Sequence, residues 1–90
     1  MNIEELYTVI EERIKNKNKK SYTNKLFKLG PKVIAQKMGE ETTELIIDYL
    51  KGSKKRTIEE AADVIYHLLV LLKSKKITLK EINKELSKRH

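Results

Sequence analysis

The chain has 90 residues, of which 39% are apolar and 37% are charged, and this composition is typical of one folded domain. It contains no cysteine, which excludes disulfide bonds, thiolate metal sites and cysteine nucleophiles, and its longest apolar run, Leu68–Leu72, is far below the roughly 18 residues of a membrane span. The net charge of +7 leaves open a nucleic-acid partner, a phosphate-rich small substrate, or a role in solubility alone.

The first two helices are predicted before residue 30. The N-terminus is acidic where a secretory signal is basic, so we expect a cytoplasmic protein. Asn2 is placed to cap the first helix, with Glu5 three residues on, and a lysine-rich loop is expected at 16–20. A short second helix at 23–29 should stop at Gly30. The first helix has one apolar stripe at helical spacing, formed by Ile3, Leu6, Ile10 and Ile14.

Two longer helices follow. The third is predicted over residues 31–50, with a proline at its first turn and Gly52 as its C-terminal stop. The fourth is predicted over residues 57–73, because Thr57 and Glu60 have the spacing of a capping box.

Thr78 and Glu81 predict a second capping box, which opens a fifth helix. We therefore expect an all-α single domain over residues 1–90.

The fourth helix is apolar almost all round its axis over residues 64–72, so it should be buried on every side. A chain of this size buries a limited share of its surface, which predicts a homodimer in which the third and fourth helices of two copies form a bundle.

Carboxylates recur at helical spacing in both of the long helices. Glu41 and Glu44 are three residues apart, Glu40 and Glu44 are four apart, and Glu60 and Asp63 repeat the three-residue spacing. If the two helices are antiparallel, these pairs face each other across one seam. Such a cluster repels itself unless a hard cation such as Mg²⁺ binds there. The alternative is that the pairs are ordinary solvated faces, with Glu60 as the capping-box acid of Thr57.

The whole chain resembles a known family. The arrangement Glu-Glu-x-x-Glu, fifteen residues, then Glu-x-x-Asp is similar to the all-α nucleotide pyrophosphatases of the MazG type. Further stretches narrow the resemblance to the phosphoribosyl-ATP pyrophosphatases of histidine biosynthesis. These stretches are Ser21-Tyr22-Thr23 with Leu26, Lys37–Glu44, Glu59–Leu72 and the ending from Glu85-Leu86 to Arg89-His90.

The resemblance implies hydrolysis of phosphoribosyl-ATP to phosphoribosyl-AMP and pyrophosphate with Mg²⁺ as cofactor, and it also implies a dimer. By residue-wise match, Glu41, Glu44, Glu60 and Asp63 would hold the metal. Glu40 would be a further ligand or an acid near the attacking water. We expect direct attack by a water that the metal or a carboxylate orients, because the chain has no serine–histidine–acid spacing.

Basic and hydroxyl residues are candidates for substrate binding. Lys37 lies one helical turn before the acidic motif, within reach of a bound phosphate, although the alternative is a solvated lysine. Ser21, Tyr22, Thr23 and Lys25 would line the substrate pocket with hydroxyls, an aromatic face and a charge. The alternative for this segment is a helix start with Ser or Thr as its cap.

Two conspicuous features are given structural interpretations. His67 lies on the most apolar helix and is interpreted as a core or interface histidine. The basic segment 51–56 is interpreted as a solvated turn.

Two other functions remain possible. The first is a MazG-type enzyme acting on nucleoside triphosphates, and the second is a basic helical module that binds nucleic acid. The acidic seam argues against the second, because carboxylates repel phosphates unless a metal intervenes, so we expect no nucleic-acid partner. The short apolar runs predict no membrane partner.

Overall fold

The computed structural model describes residues 1–17 and 20–90, and the described residues contain five α-helices and no strand. The prediction of an all-α fold is therefore confirmed. The predicted loop at 16–20 includes residues 18 and 19, which lie outside the described residues. The helices are α1 (Ile3–Asn16), α2 (Tyr22–Lys28), α3 (Pro31–Lys51), α4 (Lys54–Ser74) and α5 (Leu79–Arg89).

Side-chain caps fix the starts of four of these five helices. The side chain of Asn2 accepts a hydrogen bond from the amide of Glu5 at 2.8 Å, so this predicted cap of α1 is confirmed. Thr78 and Glu81 form the full reciprocal capping box at the start of α5, as predicted. Ser21 caps α2 through its hydroxyl. Each of these contacts satisfies a backbone N–H that the helix itself leaves without a partner.

The fourth start differs from the prediction. The helix α4 begins at Lys54, three residues before Thr57, because the hydroxyl of Ser53 accepts from the amide of Arg56 and caps the helix there. The Thr57 hydroxyl instead donates to the backbone carbonyl of Ser53. The predicted capping box of Thr57 and Glu60 is therefore wrong, and Glu60 lies in the second turn of α4 rather than the first.

A tight antiparallel hairpin of α3 and α4 forms the centre of the fold, and it is the most extensive helix–helix contact. Only Gly52 and Ser53 separate the two helices. Gly52 ends α3, and its amide donates to the carbonyl of Asp48 at 2.8 Å. A Cβ at Gly52 would lie 2.8 Å from that same oxygen, so the close approach requires glycine.

The hydrophobic core lies where α1 and α2 pack against the hairpin. Its members come from four helices and are Tyr7, Ile10, Leu26, Ile34, Leu69 and Val70. The Tyr7 hydroxyl also donates to the carbonyl of Ile77 at 2.7 Å, which attaches the segment before α5 to α1. The core residues of the hairpin, Ile34, Leu69 and Val70, lie far from its turn, so the part of the hairpin nearer the turn is outside this core.

Large apolar side chains stay exposed on the half of the hairpin nearest its turn. We call them the hairpin apolar surface: Ile46, Ile47, Tyr49, Leu50 and Ile58, each at least half exposed. Several large apolar side chains exposed on one part of a fold are typical of a protein–protein contact. The helix α4 itself is not buried on all sides in the single chain, since Leu68 is 37% exposed. No helix in the described part of the chain has the length and apolar character needed to cross a membrane.

Candidate metal centre

Three carboxylates converge between α3 and α4. Glu41 projects from α3, and Glu60 and Asp63 project from α4. Each offers an oxygen that lies within 4.8 Å of those of the other two. The spacing of three residues between Glu60 and Asp63 puts both on one face of α4, and the antiparallel pairing brings Glu41 opposite them. The predicted convergence of acidic residues across the helix seam is thus present for these three.

Glu60 is the buried member of the group. It is only 4% exposed, although glutamate side chains are ordinarily charged and lie at the protein surface. One of its oxygens, Oε1, accepts from the Arg56 guanidinium one turn earlier, while Oε2 is buried without a hydrogen-bond partner. Burial raises the pKa of the Glu60 carboxyl, Arg56 opposes this rise, and the charges of Glu44, Asp48 and Asp63 add to it.

The donor set fits a hard divalent cation. Carboxylate oxygens are the ligands that Mg²⁺ and Mn²⁺ take in proteins, usually together with waters and substrate phosphates. A buried carboxylate oxygen with no partner is costly, and a cation at this position would satisfy it. Glu41 is half-buried and Asp63 is exposed, so the group opens to solvent and to a substrate.

Glu44 and Glu40 lie outside this three-residue group. Glu44 is exposed, yet its charge is near enough to raise the pKa of Glu60. Glu40 is held on its own helix, since it accepts from the Gln36 amide at 3.1 Å and pairs with the Lys37 ammonium at 3.6 Å. These two contacts, Gln36 first, lower the pKa of Glu40. Lys37 therefore contacts Glu40 and not the converging carboxylates.

The residues predicted for substrate binding at the start of α2 separate into two kinds. Ser21 caps the helix, and Thr23 is fully buried with its hydroxyl bonded to that of Tyr66, so both have structural contacts. Tyr22 and Lys25 are exposed and remain available to a ligand. The helix-start interpretation therefore holds for Ser21, whose hydroxyl accepts from a backbone amide at 3.3 Å.

His67 has the environment expected of a core histidine. It is 6% exposed, its Nδ1 lies 2.7 Å from the backbone carbonyl oxygen of Asp63, and its Nε2 lies 3.3 Å from the Tyr22 hydroxyl. Both ring nitrogens are thus satisfied by the protein. The contact with Tyr22 was not predicted, because residues 45 positions apart give no local signal of a pairing.

Arg56 is the residue at this site that sequence reasoning missed. The segment 51–56 was interpreted as a solvated turn, but Arg56 bonds Glu60 and also pairs with Asp48 of α3 at 3.4 Å and with Glu59 at 3.4 Å. The negative charges of Glu60 and Asp48 raise the pKa of Arg56. The i, i+4 spacing from Arg56 to Glu60 was a usable signal, but only once the helix is known to start at residue 54.

Comparison with known proteins places this chain in one family. Residues 3–90 match the phosphoribosyl-ATP pyrophosphohydrolase family. The chain is 51% identical over 88 residues to the phosphoribosyl-ATP pyrophosphatase of Clostridium acetobutylicum, covering 98% of this chain and 80% of that protein. It is 46% identical to the phosphoribosyl-ATP pyrophosphatase of Sulfolobus acidocaldarius, and the match covers 97% of this chain and 92% of that protein. It is 45% identical to that of Pyrobaculum neutrophilum, and the match covers 97% of this chain and 93% of that protein. The chain belongs to the phosphoribosyl-ATP pyrophosphohydrolase family.

Proposed function

We propose that this protein hydrolyses phosphoribosyl-ATP to phosphoribosyl-AMP and pyrophosphate, the second step of histidine biosynthesis. The observation that carries the proposal is the convergence of Glu41, Glu60 and Asp63, with an unpartnered buried oxygen, in a chain of this family. A cation held there would supply the neutralisation of phosphate oxygens and the water positioning that phosphoryl transfer requires.

The carboxylates of the chain are proposed to have different roles at the metal. Glu41, Glu60 and Asp63 are proposed to hold the Mg²⁺, with Glu60 fixed by burial and by Arg56. Glu44 is one helical turn beyond Glu41 on the same face of α3 and is proposed as a fourth ligand, its exposed side chain being free to turn toward the group. Glu40 is proposed to lie near the attacking water, as a further acid or ligand.

Cationic side chains near the group are proposed to bind the substrate phosphates. Lys37 precedes Glu41 by one turn of α3 and its ammonium pairs with Glu40 over 3.6 Å, a contact exposed enough to exchange for a phosphate. Lys25 and Tyr22 supply an exposed charge and an exposed ring at the start of α2. Ser21 and Thr23 fix the position of this segment through their hydrogen bonds.

A homodimer is proposed as the working form. The hairpin apolar surface is exposed in the single chain, and pairing of two copies through it removes this surface from water. Two-fold pairing is the commonest way in which a chain covers such a surface with a second copy of itself. We propose the cytoplasm as the place of action, since the proposed substrate is a derivative of ATP.

A substrate comparison tests the proposal. The protein is incubated with Mg²⁺ and either phosphoribosyl-ATP or each deoxynucleoside triphosphate, and pyrophosphate and nucleotide products are separated by chromatography; binding to duplex DNA is measured in parallel. We expect pyrophosphate and phosphoribosyl-AMP from phosphoribosyl-ATP and little release from the triphosphates. Asp63→Asn should abolish the release of pyrophosphate. Glu59→Gln should not, because Glu59 is a neighbouring carboxylate outside the group. Faster release from a deoxynucleoside triphosphate would assign the chain a different substrate.

A further inference from the structure

The segments Ser21-Tyr22-Thr23 and Tyr66-His67 contact each other in the fold. The Tyr22 hydroxyl lies 3.3 Å from His67 Nε2, and the Thr23 hydroxyl bonds that of Tyr66. The Tyr22 ring centre lies 6.2 Å from that of Tyr66 and 6.1 Å from that of His67. Two consecutive residues of α2 therefore pair with two consecutive residues of α4, which gives the first turn of α2 a fixed place on the helix that carries Glu60 and Asp63.

The contacts of His67 favour one tautomer of its neutral ring. Its Nδ1 lies 2.7 Å from the backbone carbonyl oxygen of Asp63, which can only accept a hydrogen bond. A neutral imidazole with its proton on Nδ1 donates to this carbonyl and keeps a lone pair on Nε2. The Tyr22 hydroxyl then donates to Nε2. One histidine thus connects the backbone at Asp63 to the hydroxyl of Tyr22.

The residue that anchors the ring lies on the same helix as two of the converging carboxylates, Glu60 and Asp63. His67 follows Asp63 by four residues, so the two share a face of α4 about 6 Å apart along its axis. Tyr22 is 52% exposed as a residue, and its hydroxyl is held by His67. A half-exposed aromatic ring in a fixed orientation is suited to stacking on a nucleobase.

We propose that His67 is a positioning residue, which holds Tyr22 so that its ring stacks on the purine of a nucleotide whose phosphates lie at Glu41, Glu60 and Asp63. This inference rests on the proposed function. His67 itself is buried and is not proposed to contact the substrate. It acts through Tyr22, so its contribution is to substrate binding and not to the bond that breaks.

Three variants separate this role from a merely structural one. Tyr22→Phe keeps the ring and removes the hydroxyl. His67→Asn keeps an amide N–H near the position of Nδ1 and removes the acceptor at Nε2. His67→Gln instead brings an amide oxygen to the position of Nε2, where it can accept from Tyr22. The proposal predicts that Tyr22→Phe and His67→Asn each raise KM by about five-fold, the effect of one ordinary hydrogen bond, with kcat nearly unchanged.

The double variant Tyr22→Phe/His67→Asn decides whether His67 acts through Tyr22. Both substitutions remove the same contact, so KM of the double variant should equal that of either single variant. His67→Gln should lie nearer to the wild-type KM than His67→Asn does. Multiplied effects in the double variant, or unchanged KM in all variants despite a lowered melting temperature, would overturn the proposal.

A ¹⁵N NMR spectrum of the histidine rings tests the anchor without any turnover. We expect Nδ1 of His67 to be protonated and Nε2 to be an acceptor, and Tyr22→Phe should shift the Nε2 signal while leaving Nδ1 in place. A proton on Nε2 and not on Nδ1 of the neutral wild-type ring would contradict the anchor. If the NMR result is as expected but the wild type does not hydrolyse phosphoribosyl-ATP, the proposed function fails and the stacking partner inferred here fails with it.

Discussion

Arg56 and Glu60 are bound to each other across one turn of α4, so that a guanidinium in the turn-proximal part of the helix neutralises a carboxylate that is almost fully buried. The second oxygen of Glu60 has no hydrogen-bond partner, and Asp48 of α3 shares the same guanidinium. The arrangement connects the turn of the hairpin to the candidate metal centre. A buried charge is retained at a cost to stability, which is typical of a functional site.

Removal of this guanidinium should destabilise the metal-free protein. Arg56→Gln leaves the Glu60 carboxylate buried without a counter-charge, and the pair to Asp48 is lost as well. We expect the melting temperature, measured by circular dichroism in chelator, to fall by several degrees. Lys55→Gln is the matched control, because it removes one positive charge from the same exposed turn. Equal melting temperatures of the two variants would mean that the Arg56–Glu60 contact does not stabilise the fold.

The raised pKa of Glu60 predicts a pH dependence of stability with a definite sign. A carboxyl whose pKa is raised in the folded protein binds protons more tightly there than in the unfolded chain. Its contribution to stability is therefore full below the ordinary glutamate pKa of about 4.3 and is lost as pH rises through the raised value. In chelator, the melting temperature of the wild type relative to Glu60→Gln should fall over that pH interval. A difference that rises instead would show that the folded state lowers this pKa.

Much of this architecture is predictable from local patterns. The caps at Asn2 and Thr78, the stop at Gly52 and the number of helices all follow from residues within one turn of each other. The start of α4 is not predictable in this way, because Ser53 and Thr57 are both good capping residues. The two-residue turn Gly52-Ser53 makes Ser53 the cap, and a sequence pattern does not contain that tertiary constraint.

The candidate site is predictable in type but not in detail. The helical spacing of Glu41 with Glu44 and of Glu60 with Asp63 was sufficient to expect convergence, since antiparallel helices with a short turn have few possible registers. Three of these four carboxylates meet, and Glu44 lies outside the group. Pairings between side chains far apart in sequence were not predictable: Tyr22 with His67, and Asp48 with Arg56. Such contacts depend on how far each helix is rotated about its axis, which the sequence pattern determines only to within part of a turn.

Glu44→Gln should separate function from stability. The substitution removes one negative charge from a cluster that repels itself without a cation, and Glu44 is exposed, so the metal-free protein should be equally or more stable. Pyrophosphate release should be mostly lost. Added Mg²⁺ should raise the melting temperature of the wild type, because it binds the native state, and should do much less for the variant. Normal turnover in Glu44→Gln would exclude this residue from the site.

The hairpin apolar surface predicts the assembly state. Light scattering on a size-exclusion column at micromolar protein should give about twice the chain mass of 10.6 kDa. Leu50→Glu puts a charge on this surface and should lower the mass of the particle, whereas Lys51→Glu, an adjacent exposed position outside the surface, should not. A wild type that elutes as a single chain would show that the surface is not covered by a second copy.

The central claim is that Glu41, Glu60 and Asp63 hold a divalent cation on which hydrolysis depends. The most direct measurement is pyrophosphate release from phosphoribosyl-ATP by the wild type, first in excess chelator and then after Mg²⁺ is restored. We predict that release stops in chelator and returns with Mg²⁺ in the wild type and in Glu59→Gln, but not in Asp63→Asn. Undiminished release in chelator would contradict the assignment of these carboxylates as a metal centre.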